Sequence, residues 1–115
     1  MSADCLFCRI VAGEIPAAKV HEDELVVAIR DLNPRAPVHL LLMPREHIDS
    51  ALDLTEADAA IAGRLLAAAA TLARSEGVAD GGYRLVINAG ADGGQTVGHL
   101  HLHLLGGRRM HWPPG

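Results

Sequence analysis

Only three of the 115 residues are aromatic: Phe7, Tyr83 and Trp112. A fluorescence change at the lone tryptophan would therefore report on one place, the C-terminal tail. Half of the residues are hydrophobic, yet no run approaches the roughly 20 apolar residues that a membrane span needs. Positive charge is scarce as well, with 10 basic against 14 acidic side chains and a net charge of −4. Without a basic stripe, a nucleic-acid polymer is a poor partner, whereas a nucleotide monomer needs only a few local donors. The start, Met1-Ser-Ala-Asp-Cys5, has neither the basic segment nor the apolar stretch of a signal peptide, so a cytoplasmic location is expected. Linkers, repeats and low-complexity segments are missing too. At this length there is room for one domain, residues 1–115, with a modest core.

What the chain does have is histidine. His99-Leu100-His101-Leu102-His103-Leu104-Leu105 alternates imidazoles with leucines and is flanked by glycines. Strict alternation predicts a strand with the histidines on one face and the leucines on the other. Imidazole serves as base, acid, nucleophile or metal ligand near neutral pH, which marks the row as functional. A three-histidine metal centre is the first rival reading. Alternate residues of a strand stand about 6.6 Å apart and the outer two about 13 Å apart, too far for one ion to hold all three. At least one histidine is then left for other chemistry, and the middle one is best placed to attack a substrate.

The preceding segment, from Asn88 through Gly90, Gly93, Gly94, Gln95 and Thr96 to Gly98, is rich in glycine. Glycine lets backbone N–H groups approach an anion closely, so this loop is a candidate cradle for phosphate oxygens. Gln95 and Thr96 add an amide and a hydroxyl beside the histidines.

Elsewhere, residues 5–12 read as a short helix ended by Gly13 and Pro16. Residues 19–22 and 24–31 read as paired strands with a turn near Asp23, and Val38 to Met43 as a strand closed by Pro44. Thr55 caps a long helix running to about Glu76, with Asp58 at its third position and Gly77 as the stop. Ile61, Leu65, Ala69 and Leu72 share one stripe of it. Residues 83–88 and 99–105 supply the last strands. Short connections predict a mainly antiparallel five-stranded sheet covered by the long helix, an α+β fold.

His99 to Leu105 resembles the signature of the histidine-triad (HIT) family, His-φ-His-φ-His-φ-φ with φ apolar. The ending from Leu105 to Gly115 looks like that of the family's Hint branch, and Phe7 to Pro16, Asp31 to His39 and Asn88 to Thr96 match as well. The resemblance covers nearly the whole chain. It implies the same α+β fold and a homodimer, with the tail, residues 106–115, reaching the partner's active site and Trp112 shaping leaving-group selectivity there. The implied activity is that of a purine nucleoside phosphoramidase, which cleaves the P–N bond of nucleoside 5′-phosphoramidates and releases nucleoside monophosphate and an amine. Cleavage of dinucleoside polyphosphates, as in sister branches, and a zinc-bearing nucleotide-binding module without catalysis are the alternatives.

Cys5 and Cys8 form a C-x-x-C pair. A cytosolic chain seldom keeps such a pair as a disulfide, and the βαβ context of a thioredoxin-like redox site is missing. Zinc would need two further ligands; reduced thiols without metal are the alternative. The resemblance supplies His47 and His99, implying a structural zinc on Cys5, Cys8, His47 and His99, and no metal in the chemical step. It further implies that His101 is the nucleophile forming a nucleotidyl-histidine intermediate. His103 would donate to a phosphate oxygen, and His39 would position the triad. Thr96, standing where the family usually has serine, would assist the departing amine. Asn88, the Gly94 backbone and Gln95 would hold phosphate oxygens, and Asp31 the ribose hydroxyls. Phe7, Ile10, Ile29 and Leu32 match positions lining the base pocket, although each reads equally well as core. His21 and His111 carry no motif role.

Overall fold

Strands rich in branched and apolar residues form the centre of the structure, a computed structural model that describes residues 4–115. The first three residues of the segment read for a signal peptide lie outside the described residues. β1 (Lys19–Glu22), β2 (Val26–Arg30), β3 (Val38–Pro44), β4 (Tyr83–Val86) and β5 (Leu102–Gly106) form one sheet in the order β1-β2-β3-β5-β4. Every neighbouring pair is antiparallel. The α+β expectation therefore holds.

The sheet is covered on both faces, which explains why β2 and β3 read as nearly continuous apolar runs. Alternation divides their side chains between two cores. Val26, Ala28, Leu40, Leu42, Leu102 and Leu104 face the long helix α2 (Ala59–Ser75) and pack on its Leu65, Ala68, Ala69, Leu72 and Ala73. Val27, Ile29, Leu41 and Met43 face the short helix α1 (Leu6–Val11) and pack on Phe7, Cys8 and Ile10. His39 and His103 stand on this second face.

Several boundaries differ from the sequence expectation for local reasons. The Asp23 carboxylate accepts from the backbone N–H groups of Leu25 and Val26, so a tight turn occupies residues 23–25 and β2 begins at Val26. β4 ends at Val86, two residues short of Asn88. Thr55 does not start the α-helix. Its backbone N–H donates to the Asp58 carboxylate at 3.0 Å, closing a 3₁₀ turn over Glu56–Asp58, and α2 follows from Ala59. The C-terminal stop is as expected: Gly77 takes φ +77°, its N–H donates to the Arg74 carbonyl, and Val78 N–H donates to that of Ala73. These two bonds are a Schellman motif, and the positive φ explains the glycine. Ile61 is only partly buried at the edge of the stripe.

The largest departure concerns the histidine row. β5 begins at Leu102, so His99, Leu100 and His101 lie in an irregular approach to the strand. The backbone there answers to a different partner: Leu100 N–H donates to the carbonyl of Ile48 at 2.6 Å. Among the described residues no helix is long and apolar enough to cross a membrane.

Leu104 is fully buried between the sheet and α2, whereas Leu52 is 88% exposed. Leu104→Ala is expected to lower unfolding stability by about 2–5 kcal/mol, and Leu52→Ala to change it by less than about 0.5 kcal/mol. Urea denaturation of the two variants checks the pair.

Candidate active site and metal centre

Antiparallel pairing sets Leu41 opposite His103 and His39 opposite Leu105. His39 and His103 are thus diagonal neighbours on one face, close enough for ring contact. His39 Nε2 lies 3.0 Å from His103 Nδ1 and 3.4 Å from an Asp31 carboxylate oxygen. Asp31 follows β2 directly, and its backbone N–H donates to the His39 carbonyl at 3.0 Å.

Backbone groups decide which ring nitrogen carries a proton. The N–H of Arg35 donates to His39 Nδ1 at 3.0 Å. In neutral His39 the proton is then on Nε2, which donates to His103 Nδ1. Neutral His103 accordingly keeps its own proton on Nε2, available to a ligand. Burial lowers the pKa of both groups. For His39 the nearby Asp31 charge opposes the shift, while His103 is pushed down to about 4 by burial first and then by His101 and His39 beside it. Both are neutral at pH 7.

His101 is oriented differently. Its Nδ1 donates to the carbonyl oxygen of His99 at 2.7 Å, which leaves the Nε2 lone pair of the neutral ring free. The ring is held edge-on by Phe7, centroids 5.0 Å apart, and stands 5.0 Å from that of His103.

These side chains open onto a cavity of 240 Å³. Phe7, Ile10, Ile29 and Leu32 form its apolar walls, and Asp31, Thr96, His101 and His103 line it as well. Eight of the residues expected at the site therefore converge. His39 stands behind, bonded to His103. Asn88, Gly94, Gln95 and Trp112 do not line the cavity. The glycine-rich loop is closed on itself: Gly94 N–H donates to Ala91, Gln95 N–H to Gly90, and Gly90 N–H to the Gln95 side chain. The Gln95 amide nitrogen donates to the carbonyls of Asp49 and Val97. In this structure Gln95 and the Gly94 N–H are engaged in folding the loop, which carries Thr96 to the cavity rim. Trp112 is 83% exposed on the tail.

A second cluster adjoins the first. Cys5 Sγ, Cys8 Sγ, His47 Nδ1 and His99 Nδ1 all lie within 4.8 Å of one another. The sulfur-to-nitrogen distances are 3.2, 3.3 and 3.5 Å. Tetrahedral zinc with Zn–S of about 2.3 Å and Zn–N of about 2.05 Å separates S from N by about 3.6 Å, so the donors sit where that ion would place them. The tautomers also suit a metal. His99 Nε2 donates to the Pro44 carbonyl at 2.8 Å and His47 Nε2 to the Asp49 carboxylate at 2.5 Å, turning both Nδ1 lone pairs inward. Such outer bonds to ligating histidines are the usual support of a zinc site. Asp31, His39 and His103 also bring ligand atoms together, but the Arg35 N–H on His39 Nδ1 keeps a proton on the inward Nε2, which therefore cannot ligate. Sequence reasoning did not find Asp49, Pro44 or Arg35; each acts through a loop contact that no spacing rule encodes.

The HIT domain family profile matches residues 12–110. The chain belongs to the HIT family. It is 46% identical to a 14 kDa zinc-binding protein of Brassica juncea over 114 residues, covering 97% of this chain and all of the relative. A solved HIT family hydrolase from Legionella pneumophila superposes with a TM-score of 0.96 at 51% identity, over 97% of this chain and all of that one. A histidine triad nucleotide-binding protein from Candida albicans gives a TM-score of 0.81 at 27% identity, over 96% and 83%.

The proton balance at His103 makes stability depend on pH. The unfolded chain takes up this proton near the ordinary histidine pKa of about 6.5, the folded chain only near 4. Between those values the unfolded state holds more protons, so stability falls as pH drops through the window. Thermal melts from pH 7 to pH 4 should show His103→Gln losing less stability than the unaltered chain; parallel losses would contradict the assignment.

Proposed function

We propose that this HIT protein is a nucleoside phosphoramidase, hydrolysing the P–N bond of purine nucleoside 5′-phosphoramidates. The observation that carries this reading is His101, pinned through Nδ1–H to a carbonyl with its Nε2 turned toward the 240 Å³ cavity. His101 Nε2 attacks the α-phosphorus, a P–N bond to imidazole forms, and the bond to the amine breaks. The Thr96 hydroxyl at the rim assists the departing amine. Water then attacks the nucleotidyl-histidine and returns His101 to its starting state, so two displacements replace one difficult step. His103 Nε2–H donates to a phosphate oxygen as negative charge grows there, and His39 holds His103 in the tautomer that can do so. Asp31 accepts from the ribose hydroxyls, and the apolar walls take the base. The names of the Legionella and Candida structures, a hydrolase and a nucleotide-binding protein, support this reading.

A zinc ion held by Cys5, Cys8, His47 and His99 would supply a crosslink between the N-terminal helix and the segments around residues 47 and 99. This role is structural, because four protein ligands leave no open position. Reduced thiols suit a cytoplasmic setting. The exposed Trp112 fits a homodimer in which the tail covers the partner's cavity.

Release of AMP from adenosine 5′-phosphoramidate tests the reading. The unaltered protein should turn over, and His101→Ala should lose roughly 10³-fold or more in kcat while still binding AMP. No turnover by folded, AMP-binding protein would overturn it. In competition at equal concentrations, preference for a dinucleoside polyphosphate would move the activity to the other cleavage.

A further inference from the structure

His101 lies one residue outside the β5 ladder, whose pairing with β3 stops at Leu102 opposite Leu42. Sheet hydrogen bonds therefore do not fix this ring; other contacts must. Two are present, and both lead to the cysteine–histidine cluster. The first is the 2.7 Å bond from His101 Nδ1 to the carbonyl of His99, the residue whose own Nδ1 faces Cys5 and Cys8. The second is Phe7, which lies between Cys5 and Cys8 on the short helix and meets the rings of both His101 and His99 edge-on, at 5.0 and 5.9 Å. The cluster and the substrate cavity also share a wall. Leu6, Thr96 and Val97 line both the 240 Å³ cavity and a 390 Å³ hollow bounded by Cys5, His47 and Asp49.

We propose that Cys5, Cys8 and His47 are positioning residues for the nucleophile, acting through the His99 carbonyl and the Phe7 ring. With a metal on these ligands, residue 99 and the helix carrying Phe7 are tied together, and His101 is held in one tautomer and one orientation. With the metal removed, the fold survives because both sheet cores remain, but His101 is no longer fixed. Of the groups lining the substrate cavity, Phe7 belongs to this linkage, whereas Asp31, Ile29 and Leu32 lie outside it, so kcat falls by a larger factor than KM rises. The kinetic part of this inference rests on the phosphoramidase reading; the structural part does not.

The experiment compares ¹⁵N-labelled protein loaded with zinc, the same protein stripped by a chelator, and a His47→Asn variant. This variant removes the most exposed ligand and leaves Cys5, Phe7, Cys8 and His99 in place. Metal content, thermal melting, the side-chain nitrogen shifts of His101, and kcat and KM for adenosine 5′-phosphoramidate are measured on each. In the loaded protein the two His101 nitrogens should be well separated, as in a single Nδ1–H tautomer. In the stripped protein and in His47→Asn they should converge, with kcat lower by roughly 10–100-fold, the size of effect usual for losing support around a site, and KM raised by a smaller factor. Unchanged nitrogen shifts and kcat in folded, metal-free protein would overturn the inference. So would outright unfolding on metal removal, since the metal would then hold the fold and not the nucleophile. If loaded protein fails to cleave the phosphoramidate, the functional reading is lost, and the nitrogen shifts still decide the coupling.

Discussion

The site depends on the antiparallel register of β3 against β5. Pairing Leu41 with His103 and His39 with Leu105 puts two imidazoles diagonally together on one face. The opposite face enforces that register, because Leu40, Leu42, Leu102 and Leu104 must all reach the core under α2. A slip of one residue would turn these leucines toward the site and the histidines into the apolar core. Hydrophobic burial on one side of the sheet thus fixes the geometry of polar groups on the other. The chemistry needs no separate scaffold.

Backbone groups then give similar rings different properties. A carbonyl accepting from Nδ1 leaves the lone pair of His101 on Nε2. A carbonyl accepting from Nε2 turns Nδ1 of His99 toward the two sulfurs. An N–H donating to Nδ1 of His39 sets the opposite pattern and passes it to His103. Four histidines within a few ångströms therefore present different nitrogens and different protons, and the proposed roles of nucleophile, ligand, positioning group and donor follow from these bonds and not from any difference in side-chain chemistry. Burial keeps His39 and His103 neutral, as this division requires.

Much of this was legible in the sequence. Apolar periodicity located the long helix stripe, alternation found the strands, and the histidine-triad resemblance joined Asp31, His39, Thr96, His101 and His103, which the structure brings to one cavity or directly behind it. The C-x-x-C pair with His47 and His99 was legible in the same way. What was not legible depended on competition between local partners. The Leu100–Ile48 bond draws the first two triad histidines off the strand, although their alternation fits one. The glycine-rich loop uses its donors internally because the Gln95 side chain bridges Gly90, Asp49 and Val97, and composition does not show whether an N–H points inward or outward. Asp49, Pro44 and Arg35 set tautomers from loops and strand ends, where no periodicity exists to read.

The central claim is that His101 Nε2 becomes covalently bonded to the substrate phosphorus. Rapid mixing of the protein with adenosine 5′-phosphoramidate, a denaturing quench and mass spectrometry of the fragments test it most directly. The account predicts a transient adenylyl mass on the fragment containing His101, placed on that residue by sequencing. Steady turnover with no adduct at any mixing time, or an adduct on His103, would contradict it.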